Sequence, residues 1–456
     1  MLQTLIKNGA CVNSNGVFNG DIAVKDGKII QIGEKLDMPA EQIIDAAGKL
    51  VLPGVIDTHV HLPWPSSSFN SVDDFSSGTT AAACGGVTTI IKYIVPDDSG
   101  RIIPDLEKTM AEAQDASFVD YSFHLILRKV TDQTIAEMAE AVRRGFTSFK
   151  IYTAYSGFHL SDQEILTSLK TAKDLGALVC FHAEDGHLVS FASEQLIKNG
   201  KTDMRYFTEA HPRLADIEAT HKVIAYARQT HTRIHIVHVN TSEGAKLIDK
   251  ARRSGLPVSG ETCPHYLIFT EEVYKTGEPE ANYYVLAPVI RKARDRQALW
   301  QAIAKGGLQT IATDHCPYNN EQKLKNRDFH LVPGGASGIE TSLAALYTHG
   351  VSKGKISIQK LVELMSANPA RIFNLYPKKG VIAVGSDADF VIYDPEGSFK
   401  IDAEKLHSNS DNSIYQGMKM IGRPVQTILN GQVIAENGEL TANTPGGQLL
   451  VRPQYQ

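Results

Sequence analysis

Two histidines one residue apart, His59 and His61, end the apolar run PGVIDTHVH (53–61). On a β-strand, side chains two apart share a face, so both imidazoles can meet one ion. Neutral imidazole suits zinc and related divalent metals. Three further apolar runs end the same way: His182 closes ALVCFH, His238 closes IHIVH and Asp314 closes TIATD. A lone histidine or aspartate at a strand end commonly just bonds nearby backbone. Four runs that each deliver a ligand-type side chain describe a metal site gathered on one rim. Lys150 lies inside another apolar run, TSFKIY, where a buried amine is costly unless neutralised or paired. Two readings stay open for it: a lysine that snorkels from a strand end, or an amine carrying CO2 as a carbamate that bridges two metals. Two metals would make a bridging hydroxide at neutral pH, and Asp314 would take its proton and pass it to a leaving nitrogen. Tyr155, just past the Lys150 strand, either donates to the developing oxyanion or packs as a rim aromatic.

The elements that must position these groups fall into three zones. Residues 1–52 carry short β-like runs (Leu2–Ile6, Asp21–Val24, Lys28–Ile32) punctuated by glycines, the pattern of a small sheet. Over 53–375, short apolar runs alternate with amphipathic stretches such as Asp132–Gly145, Asp162–Leu175, Arg213–Gln229 and Ser242–Ser254. That alternation predicts parallel strands joined by helical crossovers, and the length suits an elaborated (β/α)8 barrel of the α/β class. In such a barrel, catalytic groups sit at the C-terminal ends of several strands. Residues 376–440 return to β-rich patterning, with hairpin strands expected at 380–395 and 425–440 around Gly-Ser-Asp and Asn-Gly turns. The two β-rich ends are expected to fold together. The tail, 441–456, reads as a C-terminal arm reaching a neighbouring subunit.

Composition bounds the class. The chain has 456 residues, 42% hydrophobic and 21% charged, ample for a buried core. Net charge is 46 − 51 = −5 with no strongly basic stretch, so nucleic acid is not an expected partner. No window approaches the ~18 apolar residues of a membrane span, so no membrane partner is expected either. The N-terminus lacks a long apolar core with a small-residue cleavage site. Five widely spaced cysteines read as reduced thiols, and the expected location is cytoplasmic. Cys84, Cys180 and Cys263 read as small core residues. His187, His211, His221 and His231 read as surface residues, and His265 and His315 as hydrogen-bonding supports beside the motif strands.

Several motifs together are similar to those of the cyclic amidohydrolases, and more narrowly the hydantoinase/dihydropyrimidinase branch. They are PGVIDTHVH, DDFSSGTTAAACGGVTTII (73–91), SFKIYTAY (148–155), FHAED (181–185), VHVNTSEG (237–244), GETCPHYL (260–267), ATDHCP (312–317), NPARIF (368–373) and GSDADFVIYDP (385–395). The resemblance runs in order over nearly the whole chain. It implies a TIM-type (β/α)8 barrel with a small β-sandwich domain built from both termini. It also implies two divalent metals per subunit, commonly zinc. His59, His61, an N6-carboxylated Lys150 and Asp314 would hold one, and Lys150, His182 and His238 the other. Tyr155 would stabilise the tetrahedral intermediate and Asp314 would shuttle the proton. The implied reaction opens a dihydropyrimidine or 5-substituted hydantoin to an N-carbamoyl amino acid, in a homo-oligomer (tetramer or dimer).

Departures from the family pattern fall at expected substrate contacts. Ala287 stands where serine is usual, and Pro333-Gly334-Gly335 replaces Pro-Asn-Gly. Lys92 replaces an acidic residue after the TTII strand, and the loop after His61, LPWPSSSFNSV, brings Trp64 and Phe69. Trp64, Phe69, Tyr93 and Phe158 are candidates to line a pocket for the exocyclic group. Ala287, Gly334 and Lys92 favour an alternative reading, an allantoinase-like or other cyclic ureide or imide hydrolase. A non-catalytic dihydropyrimidinase-related scaffold is disfavoured because all six ligand-type residues are present.

Overall fold

The computed structural model describes residues 1–64, 69–277 and 279–455; part of the loop after His61, Pro65–Ser68, lies outside the described residues. Five strands open the chain: β1 (Leu2–Asn13), β2 (Gly16–Lys25), β3 (Lys28–Gly33), β4 (Ala40–Asp45) and β5 (Leu50–Pro53). Eight more form the barrel: β6 (Val55–Val60), β7 (Val87–Ile94), β8 (Asp120–Ile126), β9 (Ser148–Tyr152), β10 (Leu178–His182), β11 (Ile234–Ile236), β12 (Val258–Thr262) and β13 (Thr310–Ile311). Four close the chain: β14 (Phe390–Lys400), β15 (Lys419–Leu429), β16 (Gln432–Glu436) and β17 (Glu439–Leu440).

The two ends form one mixed sheet, in the order β3-β2-β1-β5-β14-β15-β16-β17, with β4 also paired to β1. It shares a core of Ile6, Val24, Val51, Phe390, Ile392 and Ile428. β1 changes partner partway: Leu2–Lys7 pair with β4, and Ala10 and Cys11 with β5. Gly9 sits at the change. A Cβ there would lie 2.5 Å from Val51 Cγ2, so the close approach needs glycine. The Asn430-Gly431 turn joins β15 to β16 with both φ angles positive, as a two-residue hairpin turn requires. Gly385–Asp387 does not turn a hairpin. Asp387 and Asp389 are instead drawn to Lys379, so the strand begins only at Phe390.

β6 to β13 run parallel in chain order. The ring closes through the pairing of Val60 with His315, supported by His61 N to His315 O at 2.9 Å. The helices between are started by local caps: Thr131 on Thr134 N, the Ser161–Glu164 reciprocal pair, and Thr241 on Gly244 N. β11 and β13 end sooner than their apolar runs because His238 and Asp314 adopt positive φ, 41° and 54°.

The tail, expected as an arm, packs on its own barrel. It crosses the N-terminal ends of β8, β9 and β10 of its own barrel, where backbone carbonyls await donors. Gly447 N bonds Ser117 O, Leu450 N bonds Tyr121 O, Arg452 N bonds Gly145 O and Tyr455 N bonds Gly176 O. Arg452 reaches inside, buried, and donates to Phe123 O at 2.6 Å.

Barrel and terminal sheet are joined by buried charge. Lys379 meets Asp120 at the start of β8 (2.7 Å), Asp387 (3.0 Å) and Asp389. Three clustered aspartates would suit a cation, and the lysine supplies it. Removing it would strand buried carboxylates. Lys379→Met is therefore expected to destabilise the fold by about 3–5 kcal/mol in denaturant unfolding. A change within about 1 kcal/mol would show that the aspartates do not depend on it.

Candidate metal centre

Alternation on the strands decides what enters the barrel. His59 and His61 share one face of β6 and its extension, Lys150 and Tyr152 one face of β9, and Cys180 and His182 one face of β10. At the C-terminal rim, His59 Nε2 and His61 Nε2 approach the same Asp314 oxygen at 3.0 and 3.1 Å. Across the barrel His182 Nδ1 and His238 Nε2 face each other at 2.8 Å. The His59 and His238 rings, 5.4 Å apart, join the two groups. Lys150 Nζ is fully buried and has no hydrogen-bond partner among the described residues; it lies over the rings of Tyr93 (4.7 Å) and Tyr152 (5.0 Å).

Ring nitrogens that converge on one another, and a buried amine with no partner, are each unfavourable alone and each fit a divalent cation in the gap. Burial pushes the Lys150 amine down to about 8, toward the neutral form whose lone pair can attack CO2. Burial also lowers His61 to about 4 and drives His182 and His238 below the usual histidine range, leaving neutral rings. His59 differs: burial opposes its charge, but Asp314 and Glu261 raise it to about 9. The same histidine charge keeps Asp314 ionised despite burial. His238, Asp314 and Tyr155 (φ 70°) are all non-glycine residues in the left-handed region, a cluster of backbone strain at one rim.

Two glutamates that sequence reasoning did not single out set the histidine tautomers. Glu261, fully buried on β12, accepts from His59 Nδ1 at 2.7 Å, so Nε2 is the nitrogen turned toward Asp314 and the one that would bind a metal. Glu184, equally buried, lies 3.2 Å from His182 Nε2 and leaves Nδ1 free. Glu184 also accepts from the Tyr155 hydroxyl (2.9 Å) and meets His211 (2.8 Å). His211 is thus not a surface residue. His315 is held by Asp73 at 2.9 Å, the supporting role expected of it, whereas His265 Nε2 has no hydrogen-bond partner among the described residues. Asp57 accepts from Thr313 N and Oγ1 and so ties β6 to the turn that carries Asp314.

A cavity of about 250 Å3 opens above the ligands, lined by His59, His61, His182, His238 and Asp314 at its floor. Trp64, Tyr152, Tyr155 and Phe158 form one wall; Leu286, Ala287, Cys316, Tyr318 and Pro333–Gly335 form the other. Three sequence expectations change here. Phe69 is not among the described lining residues, and its ring lies under Lys325 Nζ at 5.4 Å. Tyr93 lies within the barrel between His59 and His124, beneath the cavity rather than on its wall. Lys92 alternates away from Tyr93 to the barrel's outer face, over Phe75, so it cannot contact a bound ring. Tyr152 was missed, although its spacing of two from Lys150 already places it on the same face.

A parallel eight-stranded barrel with histidines, a lysine and an aspartate at its C-terminal rim defines a metal-dependent hydrolase centre. The chain belongs to the amidohydrolase family, a metal-dependent family whose pattern matches residues 50–434. It is 37% identical over 458 aligned positions to a D-hydantoinase of Ralstonia pickettii, covering all of both chains. Its fold is similar to that of dihydropyrimidinase from Brevibacillus agri NCHU1002, with TM-score 0.97, 33% identity and full coverage of both chains. L-hydantoinase (dihydropyrimidinase) from Arthrobacter aurescens is also similar, with TM-score 0.92 and 31% identity, covering 99% of this chain and 100% of that one.

Glu261→Gln tests the tautomer argument. It is expected to weaken divalent-metal binding by about 10–100-fold in chelator competition. Unchanged affinity would mean that Glu261 does not set the His59 ring.

Proposed function

We propose that this enzyme, a metal-dependent hydrolase of cyclic amides, opens a dihydropyrimidine or 5-substituted hydantoin ring to the N-carbamoyl amino acid. The observation that carries the reading is the cavity itself. Its floor is ligand-type side chains, one wall is aromatic, and the other presents main chain: among the described residues, the N–H and C=O of Ala287 and Gly334 bond no other protein group. A flat ring amide needs such complementary donors and acceptors, and main chain supplies them whatever the side chains at those positions.

His59, His61, Lys150 and Asp314 would hold one metal, and Lys150, His182 and His238 the other, with Lys150 N6-carboxylated. A histidine–carboxylate donor set suits zinc. When bound, the metals would supply a water ionised at neutral pH and Lewis-acid polarisation of the scissile carbonyl. Asp314, held ionised, accepts the proton of the attacking water and hands it to the leaving ring nitrogen. Tyr155 donates its hydroxyl to the developing oxyanion. That hydroxyl faces Glu184 in the free enzyme, so donation requires it to turn away from one acceptor to the other. Trp64 and Phe158, stacked at 5.6 Å, offer an apolar face to the exocyclic substituent. Homo-oligomerisation is supported by the helix Gly186–Lys198, which has no buried residue and leaves Phe191 65% exposed. Five free cysteines accord with a cytoplasmic location.

The direct test is ring opening of dihydrouracil, hydantoin, phenylhydantoin, allantoin and dihydroorotate by metal-supplemented protein, with metal per chain measured on the same sample. Turnover of dihydrouracil or a hydantoin is expected. A metal-replete protein that opens only allantoin or dihydroorotate would overturn the substrate assignment. Lys150→Ala is expected to lose metal and activity together, with partial rescue by short carboxylic acids that replace the carbamate. Tyr155→Phe is expected to keep its metal while kcat falls by about 10²–10³-fold.

A further inference from the structure

Behind the main-chain wall of the cavity lies a buried lysine that the mechanism above does not use. Lys323, on the short helix Asn320–Leu324, is 1% exposed. Its Nζ donates to Pro333 O at 2.8 Å and to Val285 O at 3.1 Å, and sits 5.7 Å from the Tyr318 ring centre. The backbone of this lysine is itself fixed: Lys323 N bonds Asn319 O, and Asn282 Nδ2 donates to Lys323 O, both at 2.9 Å.

The two carbonyls belong to the two segments that form the wall. Val285 precedes Leu286 and Ala287, and Pro333 precedes Gly334. A trans peptide is planar, with its C=O and the following N–H pointing in opposite directions. Drawing Pro333 C=O back onto Lys323 therefore turns Gly334 N–H forward, toward the cavity that Gly334 lines. Drawing back Val285 C=O fixes the plane that leads into Leu286 and Ala287. Among the described residues the one direct bond between the segments is Gly335 N to Val285 O at 2.9 Å, so the lysine supplies two of the three hydrogen bonds there that set their spacing.

We propose that Lys323 is a positioning residue for substrate, clamping two backbone carbonyls so that the free main-chain groups at Ala287 and Gly334 are aimed at the ring amide. Burial lowers its pKa to about 7, yet the neutral amine still has two N–H donors, enough for both carbonyls. Gly334 makes the clamp more necessary. The atom closest to a Cβ built there is Ala287 Cβ at 3.8 Å, so no side chain at 334 braces the wall.

The inference rests on the ring-opening reading, and the experiment separates the two. Lys323→Met and Lys323→Arg are compared with wild type in the metal-loaded, full-length enzyme, by amide hydrogen exchange at Gly335 and by kinetics on dihydrouracil and hydantoin. Lys323→Met is expected to speed exchange at Gly335 about tenfold or more and to raise KM about tenfold with kcat nearly unchanged and metal retained. Lys323→Arg, which keeps donors for both carbonyls, is expected to recover part of both. Unchanged exchange overturns the clamp. Faster exchange with unchanged KM, or a fall in kcat that tracks lost metal, overturns the positioning role. Wild type that opens no ring overturns the ring-opening reading, and exchange at Gly335 then decides the clamp alone.

Discussion

An amine buried in an apolar barrel with no partner is the constraint on which the rest of the site depends. Lys150 Nζ is enclosed by Tyr93, Tyr152 and Cys180, and burial biases it toward the uncharged form. A neutral amine below a ring of four histidines and an aspartate would become an anion on taking up CO2, and under the proposed function that anion would hold the two cations. The surrounding structure serves that exchange. β9 delivers the amine at mid-strand, whereas β6, β10 and the extensions of β11 and β13 deliver ligands one layer higher.

Preorganisation comes from the layer behind the ligands. Glu261 and Glu184 each occupy one nitrogen of a histidine and leave the other free, so a metal meets oriented lone pairs rather than a mixture of tautomers. Asp57 ties the segment carrying Asp314 to β6, and Asp73, just before the helix Phe75–Cys84, holds His315. At the far end of the barrel the tail seals the strand starts, and Lys379 ties the barrel to the terminal sheet. Rigidity is thus built on both sides of the rim, while the cavity above it is walled by loops. Chemistry is set by strands and specificity by loops, a division common to barrels of this kind.

Much of this was legible in the sequence because strands have a period of two and barrels collect strand ends. That rule placed His59 with His61 and brought His182, His238, Asp314 and Lys150 to one rim. It also holds Tyr152, once its spacing from Lys150 is taken seriously. Other features were not legible because they depend on partners distant in the chain. Glu261 is one of several polar residues in the short strand Val258–Thr262, and only the fold sets it beside His59. Lys323 sits in the polar stretch NNEQKLKNRD (319–328), which sequence reasoning passed over, yet it is buried against residues 285 and 333. Lys92 was over-read: it lies inside β7 rather than after a strand, and alternation turns it to the barrel's outer face. The Gly-Ser-Asp segment followed turn chemistry, but buried pairing with Lys379 prevailed over it.

The measurement that bears most directly on this account is carbon NMR of protein loaded with metal and 13C-bicarbonate. A carbamate carbon signal is expected in the wild-type protein. It should appear in step with metal uptake, vanish on chelation and be absent from Lys150→Ala. A metal-replete, active wild-type enzyme without that signal would contradict the account, because the buried amine would then have to be accommodated in some other way.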